Sequence, residues 1–135
     1  MPGPAVQEPA ETVLARQSFG TVTSSDAPTM LKVMEIIHRD PLASEFAALV
    51  TGQLRAGQGV GLAHFFEELG AMALHHLVSE EIIFDAFAVD QYWERLESVV
   101  AGIRKKQNNP KFGENFEILA NAARTYRDTR PPKRL

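Results

Sequence analysis

Apolar residues recur along this chain at intervals of three and four, the period of a helix. No stretch alternates apolar and polar in the two-residue rhythm of a strand. Met30, Val33, Met34 and Ile37 form a first stripe. Asp26 is its expected N-cap, and Pro28 suits the first turn, where a missing donor costs nothing. Asp40-Pro41 is expected to end that helix and open a second, with Asp40 capping and Pro41 at the first position. The second helix carries Leu42, Phe46, Leu49, Val50 and Leu54 and is expected to stop at Gly57.

A third stripe begins near Leu62 and holds Phe65, Phe66, Leu69, Met72 and Ala73. His64, Glu67, Glu68 and His75 fall off it, whereas His76 projects onto it between Leu69 and Met72. Ser79 is the expected cap of a short helix, with Glu80 and Glu81 well placed against its dipole. Ile82, Ile83, Phe84 and Phe87 make that piece apolar enough to be buried. The longest stripe, Tyr92, Trp93, Leu96, Val99, Val100 and Ile103, predicts a helix from about Asp90 to Gln107. Asn108-Asn109-Pro110 makes a turn, and a last helix holds Phe112, Phe116, Leu119, Ala120, Ala123 and Tyr126.

Upstream, Pro2, Pro4 and Pro9 oppose helix, and a short helix over Ala10–Phe19 is the most the arm supports. The fold class is all-α. We expect a single-domain bundle of five to six helices over 26–127, a flexible N-terminal arm over 1–25 and a short basic C-terminal tail over 128–135. A length of 135 residues fits one domain with a core of its own. Nine of the eleven aromatic residues lie between positions 62 and 126, so that half should build the best-packed part of the core.

Composition narrows the chemistry. The chain has no cysteine, which removes disulfides, thiolate metal sites and cysteine nucleophiles. No apolar run is long enough to span a membrane and no secretory leader is visible, so a cytoplasmic location is expected. Net charge is −3 but unevenly placed: residues 1–103 carry −9 and residues 104–135 carry +6. Nucleic-acid binding would rest on Arg104, Lys105, Lys106, Lys111 and the tail, with no interleaved aromatics, and is not expected.

Three blocks have a family look: Phe65-Phe66-Glu67, then Tyr92-Trp93-Glu94-Arg95-Leu96, then Phe116-Glu117-Ile118-Leu119-Ala120, with Ile103-Arg104 and Asn108-Asn109-Pro110 between the last two. Their order resembles DUF4760, a bacterial family of small helical domains without an assigned function, over roughly residues 30–124. The resemblance implies a helical fold and supplies no catalytic residues. It also implies that many relatives carry an N-terminal membrane helix, which this sequence does not show.

Read physically, Phe65, Phe66, Trp93 and Phe116 are anchors on three helices, each worth about 2–3 kcal/mol when buried. Glu67, Glu94, Arg95, Arg104 and Glu117 sit at the margins of the apolar stripes. Arg104 lies beside Val100, so its guanidinium should be partly buried and paired, with Glu67 or Glu117.

Other chemistry fares less well. Glu35-Ile36-Ile37-His38 has the spacing of helical di-iron ligands, but no second such pair exists. His64, Glu68 and His75 span about 16 Å along a helix, too far for one ion. No serine sits in a nucleophile elbow, and Gly57-x-Gly59-x-Gly61 follows a helix where a dinucleotide site needs a strand. No catalytic residue, metal or cofactor is therefore expected. The sequence favours a non-enzymatic domain that binds a protein partner or another copy of itself, with the second helix (Leu42, Phe46, Leu49, Val50) as the expected contact face. The alternative is a small-molecule or metal-binding sensor or enzyme with a pocket near His76 and Glu67, where His76 is a buried histidine or lines the pocket.

Overall fold

The computed structural model describes residues 19–130. Six helices follow one another: α1 (Asp26–Ile37), α2 (Leu42–Thr51), α3 (Val60–Leu74), α4 (Glu80–Ala86), α5 (Val89–Lys106) and α6 (Glu114–Thr129). No strand occurs among the described residues, and the fold is an all-α bundle. Helices α3, α5 and α6 pack on one another at its centre. On the periphery α1 leans on α2, α2 bridges to α3 and α5, and α4 lies against α6.

The stripes explain this arrangement. On α5, Tyr92, Trp93, Leu96, Val100 and Ile103 are buried, while Glu94, Arg95, Glu97 and Ser98 face water. Phe66 of α3 is wholly buried and stacks on Phe116 of α6, with centroids 5.3 Å apart. Phe87 and Tyr92 close around it at 5.8 and 5.4 Å, and Trp93 meets Phe116 edge-on at 5.1 Å. Gly70 lets α3 and α6 approach: a Cβ there would lie 2.6 Å from the carbonyl oxygen of Asn115.

Several local expectations need correcting. Asp26 is not an N-cap but the first residue of α1, with Ser25 before it. Its buried carboxylate accepts hydrogen bonds from the backbone N–H of Thr23 and of Ser79, each at 2.9 Å. A buried carboxylate needs donors on both oxygens, and these two outdo a bond to its own helix. Asp40 caps nothing. Pro41 holds the cap position of α2 without a side-chain bond, and the N–H of Ala43 reaches back to the carbonyl of Arg39.

Helix α2 stops at Thr51, six residues short of Gly57. Gly52 turns left-handed (φ 73°), and Gly52 and Gln53 donate back to Leu49 and Ala48. Helix α3 ends by the same device. His76 is left-handed (φ 59°) and donates to Ala73, while Leu77 donates to Met72. His76 is therefore exposed, not a core or stripe residue, because the helix ends two residues before it. Phe112 precedes α6 rather than lying on it, although it is buried.

The boundaries of the ends also move. Residues 19–25, assigned to the flexible arm, are held. Phe19 is buried edge-on against Phe84 and Tyr126, and its carbonyl accepts from the N–H of Glu81. The rest of the expected Ala10–Phe19 helix lies outside the described residues. At the other end α6 runs to Thr129, so Asp128 and Thr129 belong to the helix and not to the tail; residues 131–135 lie outside the described part.

Candidate functional site

The family-like blocks meet at one place, the start of α6. Its N-cap residue, Gly113, has no side chain to offer the first N–H groups. Glu67 supplies the missing acceptor from α3, taking the N–H of Phe116 at 2.9 Å and the side-chain amide of Asn115 at 3.2 Å. From the other side Arg104, in the last turn of α5, donates Nε to the carbonyl of Phe112 at 2.6 Å. Its Nη2 lies 3.4 Å from Glu117 Oε1. Of the two partners expected for Arg104, Glu117 is the one it meets, since Glu67 is engaged by backbone. Phe66, Trp93 and Phe116 form the apolar floor beneath, and Phe65 packs edge-on against Phe66 at 5.1 Å.

Arg95 stands apart from this joint. Its Nη1 donates to the carbonyls of Leu49 and Val50 at 2.6 and 3.0 Å, closing the C-terminal end of α2. These charged residues act on backbone termini, where each fixes one helix against another.

His76 and Glu67 are not brought together. Glu67 faces α6, whereas His76 stands in the exposed turn after α3, at the rim of a hollow of about 420 Å³ shared with Phe19, Asp26 and Ser79. Two backbone donors, from Thr23 first and Ser79 second, hold the Asp26 carboxyl below its ordinary value. His38 bonds the carbonyl of Met34 on its own helix at 2.8 Å. Among the described residues no three histidine or carboxylate groups are placed to share a metal ion. No described helix is long and apolar enough to cross a membrane.

Two larger concavities were not foreseen. One, about 620 Å³, lies between α4, α5 and α6. Its polar groups answer one another. Tyr126 donates its hydroxyl to Asp85 at 3.0 Å, Arg130 bonds the same carboxylate at 2.8 Å, and Arg127 pairs with the buried Asp90. Burial pushes the Tyr126 phenol up, more than its bond from Arg130 lowers it.

The other concavity, about 820 Å³, is an open trough between α5 and the loop joining α2 to α3. Leu54 and Val60 form one wall, and Val99, Gly102 and Ile103 form the floor and far wall. Arg55, Arg95 and Lys106 stand around it, and among the described residues no carboxylate lines it. Beyond its own turn of helix, no described atom lies within 4 Å of where a Gly102 Cβ would be. The expected contact face on α2 is a different surface and is largely covered: Leu49 is buried, Leu42 and Phe46 pack against the core, and Val50 alone of the four is exposed. A signal for the trough exists in the sequence. A glycine inside an eighteen-residue helix costs about 1 kcal/mol relative to alanine, so Gly102 stands out on α5 as a residue poorly suited to helix.

The family described as a domain of unknown function (DUF4760) matches residues 16–123 of the chain. No curated protein and no solved structure matches.

Proposed function

The chain belongs to the DUF4760 family, and from its own geometry we propose that it is a docking domain, which works by holding another protein rather than by turning over a substrate. The supporting observation is the trough along α5, where an apolar floor lies open beneath cations. A concave apolar surface with a polar rim is the usual form of a recognition site. Glu67, Arg95, Arg104 and Glu117, the residues that would otherwise be read as reactive, bind backbone groups and each other at helix ends. The alternative, a small-molecule or metal-binding sensor or enzyme around His76 and Glu67, has less to rest on, since one faces α6 and the other an exposed turn. We also place the domain in the cytoplasm, which fractionation of cells carrying a tagged chain tests.

Comparing wild type with Gly102→Trp as bait tests the docking role. The expected result is a protein retained by the first and lost by the second, whose complex re-forms from two purified components. Retention of the same proteins by both chains, or of none, with sedimentation showing monomer only, overturns the reading.

A further inference from the structure

We propose that the trough along α5 receives an acidic amphipathic helix of another protein, apolar side inward and carboxylates toward Arg55 and Lys106. This names the partner chemistry of the docking reading and rests on it. Three observations support it. The trough follows α5 from Arg95 to Gln107, about 18 Å at 1.5 Å per residue, which matches three turns of a bound helix. Its floor is low at Gly102, where a partner backbone can come close. Its rim is of one sign: among the described residues no carboxylate lines it, and Arg55 and Lys106 join no ion pair, whereas Arg95 is held by the carbonyls of Leu49 and Val50.

The shape also chooses between occupants. A small apolar ligand is best held where most of its surface is enclosed, whereas this channel is open, with Lys106 at one end and Arg55 on its wall. The other large concavity makes the contrast. There Arg127 and Arg130 face Asp90 and Asp85, so the field is largely cancelled inside the fold. In the trough the charges of Arg55 and Lys106 remain for a partner, and complementary charge sets both orientation and rate of encounter.

The test is an NMR titration of the full chain with three probes. These are a leucine-faced helical peptide bearing glutamates, the same peptide bearing lysines, and laurate. The acidic peptide should shift the amides of Ser98, Gly102 and Ile103 and bind at least tenfold more tightly than the basic one. That preference should shrink as salt rises. Arg55→Glu should weaken the acidic peptide severalfold, and Gly102→Trp should abolish it. Ser98→Trp serves as a second block should Gly102→Trp not fold. Equal binding of both peptides in the trough overturns the acidic partner while leaving the docking role standing. Laurate binding without peptide binding overturns the helix, and shifts confined to another face overturn the site. Binding of no probe, with no protein captured through position 102, overturns both proposal and docking role. Self-association through the trough makes the partner a second copy and likewise overturns the proposal.

Discussion

Gly70 and Gly102 sit in the interiors of two helices of the same bundle, and their surroundings are opposite. At Gly70 a methyl group would meet the backbone of Asn115 at 2.6 Å, and at Gly102 it would meet no described atom beyond its own turn of helix within 4 Å. The first marks a closed joint. Around it Glu67 answers the open end of α6, Arg104 holds the chain entering it, and Phe66 and Phe116 stack below. The second marks an open trough with no carboxylate among its described lining residues. The same small residue serves close packing in one place and access in the other. The difference separates residues that hold this fold from residues left for a partner.

Phe66→Ala should do the greatest damage, because it empties the centre of the joint. A loss of about 3–5 kcal/mol is expected in denaturant unfolding, a large share of a typical domain's stability. A loss under about 1 kcal/mol would mean that the stack on Phe116 is not central. Glu67→Ala should cost about 1–2 kcal/mol by leaving the N–H of Phe116, in the first turn of α6, without its acceptor. Hydrogen exchange should rise at Phe116 before it rises elsewhere on α6; uniform protection along the helix would contradict the capping role.

A smaller effect concerns acid. Because the Asp26 carboxyl is held below its ordinary value when folded, its contribution is present above the unfolded value and is lost as pH falls through the folded one. The melting temperatures of wild type and Asp26→Asn should therefore differ at neutral pH and converge in acid. A gap that stays constant down to the acid transition would remove the charge from the explanation. Smallest of all, Arg55→Glu on the trough wall should change stability by less than about 0.5 kcal/mol, since the side chain is exposed and joins no described ion pair. A destabilisation of more than 1 kcal/mol would show that the rim serves the fold after all.

The sequence makes the closed joint legible and leaves the trough dark, for a physical reason. Spacing of Phe65, Phe66, Trp93 and Phe116 reports burial along each helix, and a marginal arginine such as Arg104 must find a partner, so Glu117 was within reach of inference. Where a helix stops by turning left-handed, the wheel misleads. His76 belongs to the stripe only if α3 continues, and Leu77 bonding back to Met72 shows that it does not. Gly52 ended α2 early in the same manner. The trough arises from how the loop after α2 lies along α5, a relation between segments forty residues apart that no single stripe encodes. Its one local trace was Gly102, a residue poorly suited to the helix that contains it.

Thermal unfolding of Gly70→Ala and Gly102→Ala side by side tests this division most directly. Opposite signs are expected: a fall for Gly70→Ala, worth about 1–3 kcal/mol as α3 and α6 are forced apart, and a rise for Gly102→Ala of about 0.5–1 kcal/mol from helix propensity alone. Two falls of similar size would show that the outer face of α5 is as closed as the joint, and the trough would lose its claim to a partner.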